Sequence, residues 1–178
     1  MQGLIEICRI LLIPLGIGSI FLVVKLIKPP KQMLFSALTF CWLAGLLNLI
    51  VDFFEQHFGF WHYTLDGLIF SFPLDLYIAV SFFIGGSLCL IYWWVYSFHK
   101  KWLALFLIVL PFYFLLQDYV VISATGRKVI IFDNPYWWAA DFVALSIILY
   151  GTLLAFNFNV FKQIRLTADA SIPPPKTS

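Results

Sequence analysis

Acidic residues are the scarce chemical resource of this sequence. Among 178 residues, Asp and Glu number 9, Lys and Arg 11, and His 3. The acids are Glu6, Asp52, Glu55, Asp66, Asp75, Asp118, Asp133, Asp141 and Asp169. A carboxyl group held partly out of water can deliver or accept a proton, or hold a cation. Asp52 and Glu55 are three apart and share a face if a single helix carries both. Asp75 and Asp141 stand where apolar runs begin, positions at which a negative charge suits a helix N-terminus. Asp118 stands where another run ends.

Two readings of these residues are open. In the first, Asp52, Glu55, His62, Asp75 and Asp118 line a polar pocket. Asp75 is then the acid, with Asp52 or Glu55 assisting, and Trp61, His62, Tyr63, Asp118 and Trp138 contact substrate. In the second, the acids sit in lipid head groups and water, where they cap helices. The spacing Asp52-x-x-Glu55-x-His57 matches no metal motif, and structural zinc prefers Cys and His, so no metal is expected. Cys8, Cys41 and Cys89 fall inside apolar runs without C-x-x-C spacing and read as inert thiols. The chain has no G-x-S-x-G, H-E-x-x-H, Walker A or G-x-G-x-x-G sequence, which sets hydrolytic and nucleotide chemistry low and implies no cofactor.

The stretch Gly59-Phe60-Trp61-His62-Tyr63, followed by Ile69-Phe70-Ser71-Phe72-Pro73-Leu74-Asp75-Leu76, resembles the membrane lycopene-cyclase domain of bacteria, archaea and fungi. In that family a Gly-x-Trp-x-Tyr element leads to Pro-x-Glu-Glu at the head of a helix. Here Asp75 stands at the first acid position and Leu76 at the second. The resemblance implies a small multi-helix domain and cyclisation of a linear carotenoid end group. A carboxylic acid would protonate the polyene, and the carbocation would close the ring without redox change.

The elements that must position these residues follow from composition. The chain is 62% hydrophobic and 11% charged, with a mean hydropathy of +0.95. A soluble domain carries about a quarter charged residues, so lipid must be part of the solvent. Aromatics reach 20%, which suits interfacial belts and equally a pocket for a flat apolar ligand. A bilayer core about 30 Å thick takes about 20 apolar residues per helix. Five segments qualify, at about residues 4–26, 33–51, 74–96, 102–121 and 138–160. The expected fold is all-α, a polytopic helical membrane bundle forming one domain over residues 1–166, with a disordered cytoplasmic tail over 167–178. Pro14 and Pro111 are candidate kinks, and Gly16, Gly18, Gly85 and Gly86 are candidate close approaches. No cleavable leader is expected, since Glu6 occupies the position of a basic n-region.

Charge sets the orientation. Lys25, Lys28, Lys31, Lys100, Lys101, Lys162, Arg165 and Lys176 fall on one side, which the positive-inside rule makes cytoplasmic. The plasma membrane is the expected site, with the N-terminus outside and the C-terminus inside. Arg9, Arg127 and Lys128 then lie outside with every acid except Asp169, along with His57 and His62. Two outer loops, residues 52–73 and 118–135, each read as a hairpin, one turning at Asp66-Gly67 and the other at Thr125-Gly126. A short re-entrant or interfacial helix is the alternative for either loop. The loops occupy corresponding places, which opens an internal duplication as one reading.

Three functions fit. One is binding or modification of an apolar lipid, isoprenoid or carotenoid at the outer interface. The second is a non-catalytic structural or assembly subunit of a membrane complex. A small transporter ranks below both, because no charge lies in the middle of any span. The partners expected are membrane lipid, an apolar small molecule, and a membrane protein or second copy of the chain. The net charge of +2 and the lack of a basic patch give no footing for nucleic acid.

Overall fold

The computed structural model describes residues 2–65, 68–70, 72–125 and 129–170. The expected turn at Asp66-Gly67, the segment Gly126-Arg127-Lys128 and the Pro173–Pro175 end lie outside the described residues. So do the side chains of Glu6, Cys8, Thr125, Lys162, Arg165 and Asp169.

Lipid offers no hydrogen-bond partners, so apolar runs of this length must satisfy their own backbone as helices. Five do: α1 (Gln2–Ile27), α2 (Lys31–His57), α3 (Leu74–Phe98), α4 (Lys100–Thr125) and α5 (Trp137–Ala170). Each holds a segment long and apolar enough to cross a membrane, and the chain is an all-α, multi-pass membrane bundle. Pro29-Pro30 and a positive φ at Lys28 turn α1 into α2. His99 alone separates α3 from α4. Both helices that contain proline run on through Pro14 and Pro111. Helix α5 continues to Ala170, past the expected start of the tail.

Helix α2 is central, packed against both α3 and α5, while α1 lies on α3 and α4 lies on α5. Small residues make the α2–α3 crossing tight. A side-chain carbon at Gly85 would run into the Cys41 backbone, and one at Gly45 into the Ser81 hydroxyl and the Tyr77 carbonyl. Around that crossing α3 is wound as a π-helix from Ser81 to Leu88. Ser81 donates to the Tyr77 carbonyl at 2.9 Å. Ser19 and Ser87 hydroxyls meet at 2.6 Å and tie α1 to the same stretch. Cys41 and Cys89 are free and buried.

One apolar cluster fills the half of the bundle toward the α2–α3 loop, around Ala44, Val51, Ile84, Leu145 and Ile148. The other fills the opposite half, around Ala37, Leu90, Leu153 and Phe156.

The two loops depart from the hairpin expectation. Residues 61–63 form β1 and residues 130–132 form β2, and these strands pair with each other, antiparallel. The register sets Trp61 opposite Phe132, His62 opposite Ile131 and Tyr63 opposite Ile130. In the second loop, Val120-Val121-Ile122 is the end of α4 rather than a strand, because no helix breaker precedes Gly126. An exposed strand edge needs a partner. Both loops open at the same end of the bundle, so each strand finds its edge in the other loop. Ile69 and Phe72 close a separate tight turn before Pro73 starts α3.

Candidate functional site

Helix α2 runs six residues past its expected end at Val51, and that extension places Asp52 and Glu55 on its last turns. Both side chains are buried, at 4% and 8% exposure, on the same face as Val51. The Tyr63 and Tyr77 hydroxyls both donate to Asp52 Oδ2, at 2.6 and 2.7 Å. One tyrosine comes from the ribbon and the other from α3, so Asp52 ties three elements together.

Glu55 is arranged differently. Its Oε2 is buried and has no hydrogen-bond partner among the described residues. Asp141 is half-buried, and its Oδ2 has no partner among the described residues. Asp52, Glu55, Asp118 and Asp141, carried by α2, α4 and α5, lie at the same end of the bundle. Each continues the buried stripe of its own helix. Asp141 is one turn before Ala144 and Leu145, and Asp118 one turn after Phe114 and Leu115.

The ribbon roofs this end. Alternate residues of a strand point to opposite faces. Tyr63 reaches inward to Asp52, so Trp61 also faces in, and it is 4% exposed. Its indole N–H is buried without a partner among the described residues. Phe132 meets Trp61 edge-on at 6.2 Å and stacks on Trp137 at 3.9 Å. Burial and the adjacent Asp52 charge hold the Tyr63 phenol well above the ordinary tyrosine range, so it remains a donor.

The structure divides the residues singled out from sequence. Asp52, Trp61 and Tyr63 come together beneath the ribbon, with Glu55 one turn along α2, and Asp118 lies at the same end of the bundle. Asp75 is drawn away: Arg9 Nε and Nη2 donate to its two carboxylate oxygens, each at 2.8 Å. This fork geometry engages both oxygens at once. His62 faces out, with Nδ1 2.7 Å from Asp133 Oδ2 on a half-exposed surface. Trp138 is 55% exposed, and its neighbour Trp137 makes the inward stack instead. Tyr77 holds Asp52 and Asp141 lies at the same end of the bundle, although sequence reasoning left both out of the pocket.

No family model matches the chain, and no curated protein or solved structure matches it. The chemistry must be read from the cluster. Among the described residues, no three His, Cys, Asp or Glu side chains lie close enough to hold a metal ion. What the arrangement offers is unengaged carboxyl oxygen beside anchored carboxyl oxygen, under an aromatic roof and over an apolar core.

Proposed function

We propose that this protein binds an apolar or amphipathic lipid, of isoprenoid type, at the outer end of the bundle, with the carboxyl cluster facing its polar or reacting end. The supporting observation is Glu55: a buried carboxyl with an oxygen that has no partner among the described residues, one helical turn from Asp52, which two tyrosines fix. Ionisable groups at membrane depth are costly and are retained where they serve a site. Residues that only capped helices in head groups would not be buried as Asp52 and Glu55 are, at 4% and 8% exposure. Within this reading Glu55, and not Asp75, delivers a proton to a polyene in the manner the family resemblance implies, and its carboxylate takes a proton back from the cyclised carbocation, because Arg9 engages both oxygens of Asp75.

The end bearing the acids is proposed to face outward at the plasma membrane. Lys25, Lys28, Lys31, Lys100 and Lys101 border the turns at the opposite end, in keeping with the positive-inside rule. A His62→Cys variant should react with an impermeant maleimide in intact cells, and a Lys100→Cys variant only after lysis. The reverse pattern would invert the topology.

The test of binding is purification in mild detergent, an absorption spectrum, and mass spectrometry of the extracted lipids. A co-purifying isoprenoid that is depleted in Glu55→Gln supports the proposal. Bulk phospholipid alone, with a second polypeptide eluting in fixed ratio, would replace it with the assembly-subunit reading.

A further inference from the structure

Helix α3 carries one residue more than an α-helix can line up on one neighbour. Four of its residues meet α2 in turn. Tyr77 donates to Asp52 at 2.7 Å, Ser81 stands against Gly45, Gly85 lies on the Cys41 backbone, and Cys89 packs with Met33 and Ala37. Tyr77 and Cys89 are twelve residues apart. In an α-helix twelve residues advance about 1200°, which overshoots three turns by about 120°, whereas eleven residues overshoot by about 20°. Such a stripe stays on one neighbour only if the helix widens within it. The π-helical turn Ser81–Leu88 is that widening. No proline lies in α3 to cause it.

The π turn is gripped from two sides. Beyond the contacts with α2, a carbon at Gly16 of α1 would stand 2.9 Å from Phe82 Cβ, and the Ser87 hydroxyl meets that of Ser19 at 2.6 Å. The residues before the turn, Leu74–Val80, form one short stretch of α-helix. That stretch carries two polar links to different neighbours, Tyr77 to Asp52 on α2 and Asp75 to Arg9 on α1. A return of the π turn to α winding would rotate the stretch by about 100° against the rest of α3. Both links would break together, because one element holds both side chains. Asp52 Oδ2 would then keep only the Tyr63 hydroxyl.

We propose that the π turn of α3 is a register switch for the carboxyl-bearing end, coupling the Tyr77–Asp52 bond to the Arg9–Asp75 pair. With the turn π-wound, two hydroxyls hold Asp52 and Arg9 holds Asp75. With the extra residue released, one hydroxyl holds Asp52 and Arg9 lets Asp75 go. As regulation of the ligand-binding end this rests on the lipid-binding reading above, but the coupling itself is measured without a ligand.

The purified full chain is unfolded reversibly in mixed dodecylsulfate and maltoside micelles, followed by circular dichroism, as wild type, Tyr77→Phe, Arg9→Met and the double variant. Independent sites multiply their effects on the unfolding constant to within about twofold. Expected is a double variant milder than that product by about threefold or more, since either single change already lets Leu74–Val80 turn and lose the other bond. Arg9→Met combined with Tyr63→Phe should deviate the other way and exceed its product, because the turn leaves Tyr63 as the last donor to Asp52. A through-space effect of the Arg9 charge on Asp52 would move both pairs in the same direction. Deleting Phe83 removes the extra residue, so that chain should keep both links, with effects of Tyr77→Phe and Arg9→Met that simply multiply. If the shortened chain does not fold, the point variants decide alone. Simple products in both pairs, or deviations of one sign, overturn the switch. Either result leaves the lipid-binding reading standing, since extraction of bound lipid tests that reading separately.

Discussion

Removing one hydroxyl at a time from the tyrosines that hold Asp52 gives the sharpest test of the site's construction. Tyr77→Phe and Tyr63→Phe keep the ring and its packing while deleting a donor to the same atom, Asp52 Oδ2. A buried acceptor that loses its donor costs about 1–3 kcal/mol. The Tyr77 bond is buried and the Tyr63 bond partly buried, which puts Tyr77→Phe near ~3 kcal/mol and Tyr63→Phe near ~1 kcal/mol. Because the bonds share an acceptor, either one partly covers the loss of the other. The double variant should therefore lose about 0.5–1 kcal/mol more than the sum of the singles. Reversible unfolding in mixed dodecylsulfate and maltoside micelles, followed by circular dichroism, measures all three. Asp52→Asn serves as background, and in it the tyrosine effects should shrink. If both single variants stay within about 0.5 kcal/mol of wild type, as surface substitutions do, Asp52 is not held by these hydroxyls and the ribbon is not anchored through Tyr63.

Three further outcomes follow from the same structure. Gly85→Ala puts a carbon against the Cys41 backbone, which cannot swing aside as a side chain can, so the α2–α3 crossing must open at a cost of about 1–3 kcal/mol or more in the same unfolding assay. Arg9→Met breaks a pair whose side chains are 19% and 26% exposed, and it should cost about 1–3 kcal/mol, between the values for surface and buried pairs, with Asp75→Asn in the same chain recovering part of it. Tyr63 makes stability sensitive to alkali. Its folded pKa lies above its ordinary value near 10.0, so the unfolded chain releases that proton first, and the contribution is complete below the ordinary value and declines as pH rises above it. The decline should be shallower in Tyr63→Phe when stability is followed from pH 8 upward.

The helices were legible because in lipid an apolar run of sufficient length has essentially one way to satisfy its backbone. The loops were not, because their apolar arms carry no information about which edge they pair with. Phe60–Tyr63 and Val129–Phe132 look like arms of two hairpins and are instead the two strands of one ribbon. Asp52 and Glu55 were legible as a pair from their i, i+3 spacing, once α2 extends to His57. Asp141 could have been added, since it leads the stripe Ala144, Ile148 and Thr152 at helical spacing. Tyr77 left no such trace, because its bond to Asp52 depends on how α3 packs on α2. Arg9 did leave one: an arginine in an apolar run needs an acid at the same depth, and Asp75 begins a neighbouring helix at the same end. Trp137 and Trp138 could not be told apart from sequence, where a one-residue step on a helix changes the facing by about 100°.

Native mass spectrometry of the wild-type chain and of Glu55→Gln, released side by side from mild detergent, tests the carboxyl site most directly. If the cluster holds a ligand, the wild type carries a discrete adduct of fixed mass that survives detergent removal and is lost or much reduced in the variant. Bare polypeptide in both samples, or the same adducts on both, would contradict it.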